Sequence, residues 1–149
     1  MSDRIPFRVQ PMLATLVREP FDRKGWVYEE KYDGIRILAY KEGQRVRLVS
    51  RNDIDRTDGF PKIADAIRAL KPTTLLLDGE VVVFDRKNIS RFQLLQQGKG
   101  DAKYAVFDCL YLEGKDLRRQ ELSERRSAMD KSIGTGGGIL IPSRRLAKN

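Results

Sequence analysis

The stretch "IRILAYKEGQRVRLVS", Ile35 to Ser50, sets the fold of this chain. Two runs of β-branched, aromatic and long aliphatic residues flank "KEGQR", which has a glycine where a tight hairpin needs one. A hairpin commits the two runs to antiparallel pairing. On either side of it, "GWVYEEKY" upstream and "TTLLLDGEVVVFD" and "YAVFDCLYL" downstream also read as strands. Helical spacing shows in "FPKIADAIRAL", where Phe60, Ile63, Ile67 and Leu70 share one face and Asp58 is placed as a cap. "SRFQLLQQGKG" reads as a short helix capped by Ser90 and stopped by Gly98, and "ELSERRSAMDKSI" as a third helix. Strands joined by hairpins, with helices interspersed irregularly, predict an α+β domain on an antiparallel sheet. "GTGGG", Gly134 to Gly138, reads as a flexible turn; no G-K-[ST] follows it, so it is not a P-loop.

A chain of 149 residues fits one domain with a real core, or a piece of a longer protein. Hydrophobic residues at 40% and charged residues at 34% exclude a membrane protein, and no apolar run approaches the ~20 residues that span a bilayer. The opening "MSDRIPFRVQ" lacks the apolar core of a signal peptide. One cysteine, Cys109, and no histidine exclude an internal disulfide, a zinc cluster and a serine–histidine pair, and a reducing cytoplasm is the simplest location. The net charge of +8 favours nucleic acid or nucleotide as partner. From Lys115 to Asn149 nine Lys/Arg stand against four Asp/Glu, a surplus of five. "KDLRRQELSERR" within it reads equally as a solvated helix face or as a phosphate-contacting surface.

"VYEEKYDGIR", Val27 to Arg36, sets Lys31 among Glu29, Glu30 and Asp33. Nearby carboxylates favour an ion-paired surface ammonium. The apolar runs on both sides instead favour a lysine held in a partly closed site. Polar residues interrupt strands at three further places: Ser50, Arg51 and Asn52; Asp78, Gly79 and Glu80; and Asp108 beside Phe107. An acid inside a core strand needs a partner or a cleft, because a buried unpaired carboxylate costs several kcal/mol. Glu80 is accordingly either a satisfied bulge residue or a cleft residue.

"EEKYDGIR" resembles the K-x-D-G-x-R motif of the covalent nucleotidyltransferases: ATP-dependent DNA ligases, RNA ligases and mRNA capping enzymes. "SRN", "DGE" and "YAVFDCLYLEG" follow in the order of that superfamily's next motifs. "PMLATL" and "LSERR" make the sequence most similar to ATP-dependent DNA ligases, in particular the ligase module of bacterial end-joining enzymes, from about Pro11 to Arg126.

The resemblance implies an antiparallel-sheet nucleotidyltransferase (ATP-grasp-like) adenylation domain. Lys31 would attack the α-phosphate of ATP and become lysyl-AMP, its neutral amine favoured by a desolvated pocket. Glu29 would face the adenine edge and Phe107 would stack on the base. Arg36 and Arg51 would contact ribose, phosphates or the 5′-phosphate of a nick. Glu80 would sit near the ribose and bind metal, Mg²⁺ or Mn²⁺. Asp33 and Asp78 would orient these groups, Gly34 and Gly79 would let backbone approach closely, and Arg125 and Arg126 would meet DNA phosphates.

The implied partners are nicked double-stranded DNA, ATP and other end-joining repair proteins, in the cytoplasm or nucleoid of a bacterium or archaeon. No E-G-[ILV]-x-x-K or K-x-K stretch of the family follows, so residues 1–149 are expected to be a truncated, partial adenylation domain without the OB-fold domain. The alternatives are an RNA ligase or capping-type enzyme, separable by ATP or GTP labelling, or a non-catalytic basic DNA-binding fragment.

Overall fold

The computed structural model describes residues 4–134 and 136–146. In chain order the strands are β1 (Val27–Glu29), β2 (Ile35–Glu42), β3 (Arg45–Ser50), β4 (Ile54–Asp55), β5 (Thr74–Val82), β6 (Lys103–Leu112), β7 (Lys115–Asp116), β8 (Ile139–Leu140) and β9 (Arg144–Leu146). The helices are α1 (Pro61–Arg68), α2 (Phe92–Gln96) and α3 (Leu122–Ser132). The hairpin read from the sequence forms: β2 and β3 pair from Glu42↔Arg45 to Ile37↔Ser50. Gly43 opens its turn at φ +66°, a conformation glycine adopts without steric cost.

The main sheet runs β4-β3-β2-β5-β6-β7 with antiparallel neighbours, and β8 lies parallel to the start of β6. That strand is parallel at the side of an otherwise antiparallel sheet. The chain between β6 and β8 contains α3, and such a crossover is long enough to return a strand in the same direction. β1 and β9 make a separate antiparallel ribbon.

The two faces of the sheet differ. On one, α1, α3 and β8 cover Ile37, Ala39, Leu48, Leu75, Leu77, Val81, Val106 and Cys109, all buried. The α1 face forms as its spacing predicts, with Ile63 and Ile67 buried and Phe60 and Leu70 packed at the margin. Asp58 is not its cap: it lies in a 3₁₀ turn, Thr57–Gly59, and the helix starts on Pro61, whose fixed φ suits a first helical position. On the other face a smaller cluster of Leu38, Tyr40, Val49, Leu76 and Tyr111 is covered by the N-terminal segment through Ile5 and Phe7. That segment is strapped down by charge: Glu42 accepts from the Ile5 N–H (2.7 Å) and from Arg8 (3.0 Å), and the Arg118 guanidinium lies 3.6 Å over the Phe7 ring.

Two irregularities in the β5–β6 pairing shape the second face. Asp78 pairs with Asp108 while Gly79 pairs with Val106, and Leu76 pairs with Tyr111 while Leu77 pairs with Cys109, leaving Phe107 and Leu110 as extra residues. Each extra residue breaks the two-residue alternation. Val106, Cys109 and Leu112 therefore reach the helix-covered core at intervals of three, while Phe107, Asp108 and Leu110 line a cleft on the opposite side.

At the chain's far end, Gly136, Gly137 and Gly138 all have positive φ and turn into β8; Thr135 of the expected "GTGGG" turn lies outside the described residues. Among the described residues no helix is long and apolar enough to cross a membrane.

Candidate functional site

The connection from β1 to β2 carries Lys31, and two of the acids around it, Glu29 and Asp33, are directed elsewhere. Glu29 pairs with Arg126 on α3. Asp33 accepts the Phe92 N–H at 3.1 Å, so it caps α2 from the neighbouring loop, and its own N–H donates to the Ser90 hydroxyl at 2.9 Å. Ser90, expected as the cap, is instead a tether between the two loops. Lys31 is exposed and makes no ion pair with any described carboxylate. The surface ion pair is therefore absent, and so is the desolvated pocket around the amine, because no described element packs over it.

Gly34 ends this loop against β5: a Cβ there would stand 2.1 Å from the Val81 carbonyl oxygen. Gly79 is equally committed, since its Cβ would meet the Ala105 oxygen at 2.4 Å and the Tyr104 ring at 2.8 Å. Both glycines let protein backbone and side chain approach closely. Close contact by a ligand is not what requires them.

Behind the loop lies a cleft of about 630 Å³, floored by strand residues and walled by the segment Val9–Ala14. Its floor is a set of arginine–carboxylate pairs. Arg36 grips Asp78 through Nε and Nη2, both at 2.6 Å, with its guanidinium 4.9 Å over the Phe107 ring. Across the sheet, Arg125 grips Asp108 at 2.8 and 3.0 Å and donates to the Gln120 carbonyl at 2.7 Å. Arg126 donates through Nε to the Phe107 carbonyl at 3.1 Å and through Nη2 to Glu29. Asp78 and Asp108 are register partners, and each carboxylate has a bidentate arginine to offset the other.

Burial is the leading influence on two carboxyls here, Asp78 and Glu80. It raises the Asp78 carboxyl above the usual carboxylate range despite the opposing pull of Arg36. Glu80 is raised for the same first reason, with Arg36 and Lys31 drawing it back. The Arg36 guanidinium, held by Asp78, is raised further.

Of the residues singled out from the sequence, Glu29, Arg36, Phe107, Arg125 and Arg126 line this cleft. Lys31, Glu80 and Arg51 do not. Lys31 sits in the loop joining two lining residues, Glu29 and Arg36, and Glu80 is half-buried opposite Arg36 in the pairing of β2 and β5. Arg51 is exposed at the turn into β4, beside Asn52 and Asp53 at φ +70° and +61°. Among the described residues no cluster of three His, Cys, Asp or Glu has the arrangement of a metal site. Glu80 is a single carboxylate, which suits a magnesium ion held mainly by substrate phosphates and water.

The DNA-phosphate role expected of Arg125 and Arg126 finds neither guanidinium free in this structure. Arg125 is occupied by Asp108, and Arg126 is buried with only 6% of its surface exposed. What the sequence reading missed is the inner stripe of α3, Leu122, Arg126, Met129 and Ile133, at three- and four-residue spacing. An arginine on an otherwise apolar stripe signals an inward partner.

The α+β fold with its largely antiparallel sheet, and the lysine loop joining two cleft residues within it, are those of part of a ligase adenylation domain. The chain belongs to the ATP-dependent DNA ligase domain family, which matches residues 11–146. It is 40% identical over 131 residues to the multifunctional non-homologous end joining protein LigD of Pseudomonas aeruginosa, covering 85% of this chain and 16% of that protein. It is 34% identical over 144 residues to DNA ligase C of Mycobacterium tuberculosis, covering 87% and 39%. The structure of a mycobacterial DNA ligase D complexed with ATP and MES superposes with a TM-score of 0.67 at 25% identity, covering 81% of this chain and 40% of that one. The chain thus spans less than half the length of these relatives.

Proposed function

We propose that this chain is the nucleophile-bearing part of an ATP-dependent DNA ligase adenylation domain, acting on nicked double-stranded DNA in bacterial or archaeal end joining alongside other repair proteins. The observation that carries this reading is the Lys31 loop, which joins Glu29 and Arg36 of the cleft in a chain of the ligase family. The Lys31 amine, once deprotonated, attacks the α-phosphorus of ATP. The bond to the β-phosphate breaks, pyrophosphate leaves, and lysyl-AMP remains. The 5′-phosphate at a nick then attacks the same phosphorus, takes the AMP and regenerates the amine.

Glu29 and Phe107 hold the base, and Arg36 meets ribose or phosphate once it exchanges part of its hold on Asp78. Exposed Arg51 is available for phosphate. Glu80 would hold the Mg²⁺ or Mn²⁺, which would supply positive charge to neutralise the transferring phosphoryl group.

The test is intact-protein mass after incubation with ATP and Mg²⁺, with the chain alone and with the C-terminal remainder of a ligase domain added in trans. One added AMP is expected in the complemented reaction and none with Lys31→Arg, because arginine keeps the charge and is never appreciably deprotonated. Label that survives this substitution would remove Lys31 from its role. GTP labelling in preference to ATP would move the reading to a capping-type enzyme.

A further inference from the structure

Arg126 sits where α3 faces the sheet, on the stripe shared with Met129 and Ile133, and is as buried as its apolar neighbours. A buried arginine–carboxylate pair adds little net stability over well-packed apolar residues in the place of both partners. The guanidinium is not even fully used: Nη1 is buried with no hydrogen-bond partner among the described residues, an omission that itself costs free energy. Stability therefore does not account for this side chain.

Its two other nitrogens have a specific pattern. Nε holds the carbonyl of Phe107 at 3.1 Å, and Nη2 holds Oε1 of Glu29, a residue far away in sequence. One rigid planar group thus fixes together the backbone of the residue proposed to stack on the base and the carboxylate proposed to meet its edge. Glu29 is left with a second carboxylate oxygen, which accepts no hydrogen bond from a described residue. An ionised carboxylate only accepts hydrogen bonds. It suits the exocyclic amine of adenine, and it repels the carbonyl oxygen that guanine presents at the same place.

We propose that Arg126 is the positioning residue of the base subsite, aligning Glu29 and Phe107 so that the free Glu29 oxygen selects adenine by its exocyclic amine. This rests on the nucleotide reading above. The experiment measures calorimetric affinity for ATP, GTP and purine riboside triphosphate, which lacks the amine, with magnesium present. The proteins are wild type, Glu29→Ala, Arg126→Gln and Arg126→Lys, each checked for folding by circular dichroism and melting.

Wild type should prefer ATP over purine riboside triphosphate by about tenfold or more, the value of a hydrogen bond to a charged group. Folded Arg126→Gln should lose most of that ratio while its affinity for purine riboside triphosphate changes less than about threefold. Arg126→Lys, which keeps the charge and can reach only one partner, should fall between. A purely structural residue would lower all three affinities together and leave the ratio intact, and that result overturns the proposal.

If Glu29→Ala loses the amine preference but folded Arg126 variants keep it, the base subsite stands and Arg126 has no part in it. If wild type binds no triphosphate even with the C-terminal remainder of a ligase domain added in trans, the nucleotide reading fails as well. A crystal structure of the wild-type protein with an ATP analogue decides without any variant: the Arg126–Glu29 pair should persist with the amine on the other Glu29 oxygen, and a base seated elsewhere overturns the assignment.

Discussion

The two faces of the main sheet are made by the same strands and handle burial in opposite ways. On the helix-covered face, Ile37, Leu77, Val81, Val106 and Cys109 meet α1, α3 and β8, and the Cys109 thiol is pushed up to about 12 by desolvation. Lys41 is a charged strand residue there; its ammonium reaches the Leu70 carbonyl just past the end of α1, where a cation is favourable, and burial lowers its pKa. On the open face the same strands present Arg36, Asp78, Phe107 and Asp108 to a cleft. By contrast with the first, the open face is a store of held charge. Asp78 is kept in place by Arg36, whose attraction does not fully offset the desolvation of the carboxyl, which is raised from its ordinary value.

Arg36→Met should disturb the open face most. It leaves Asp78 buried without its partner, which should cost roughly 3–5 kcal/mol at pH 7 in urea denaturation. A carboxylate whose folded pKa is raised penalises the fold above that value, and the penalty disappears below its unfolded value, where it is protonated in both states. The loss in Arg36→Met should therefore shrink as pH falls from 7 toward the ordinary carboxylate range. A loss independent of pH would show that Asp78 is not the group responsible.

On the helix-covered face, Gly79→Ala should cost roughly 3 kcal/mol, because the new methyl group meets the Ala105 carbonyl and the Tyr104 ring, whose hydroxyl is fixed on the Ile37 carbonyl at 2.8 Å. The same denaturation series measures it, and here no pH dependence should appear. A drop below about 1 kcal/mol would mean that the Tyr104 ring yields.

Asp78→Asn should be much milder than Arg36→Met, changing stability by less than about 1 kcal/mol. It removes the charge that the fold holds at a cost and leaves behind an Arg36 whose side chain still reaches solvent. Equal losses from the two substitutions would contradict the asymmetry assigned to the pair.

The smallest expected effect is none. Arg125→Gln and Arg126→Gln should leave the slope of log K against log salt for DNA binding unchanged. Each phosphate that ceased to be neutralised would make the slope shallower by about 0.9, and neither side chain is free to neutralise one. A shallower slope would show that these pairs open to meet DNA.

The strands were readable from the sequence because alternation and β-branching are local, and the α1 stripe because 3.6-residue spacing is local too. The motifs that carry Glu29, Lys31, Arg36, Glu80 and Phe107 were readable for the same reason. They are short and contiguous. The α2 cap was misread because Asp33, which provides it, is 59 residues from the N–H it accepts. β6 was recognised as a strand, but its facing was not readable: two extra residues, Phe107 and Leu110, change which side chains meet the core, and only pairing with β5 creates them.

The residues in their order were enough to specify the elements and the chemistry available along them: a hairpin-built sheet, a lysine loop, and acids and arginines set within strands. Which charge answers which was settled by the folded arrangement alone. Arg36 meets Asp78 across 42 residues, Arg125 meets Asp108 across 17, and Arg126 meets Glu29 across 97. A charge leaves water only where an opposite charge is brought to it. Which partner that is depends on strand order, bulges and helix docking, whereas the presence of the charge depends on the residue alone.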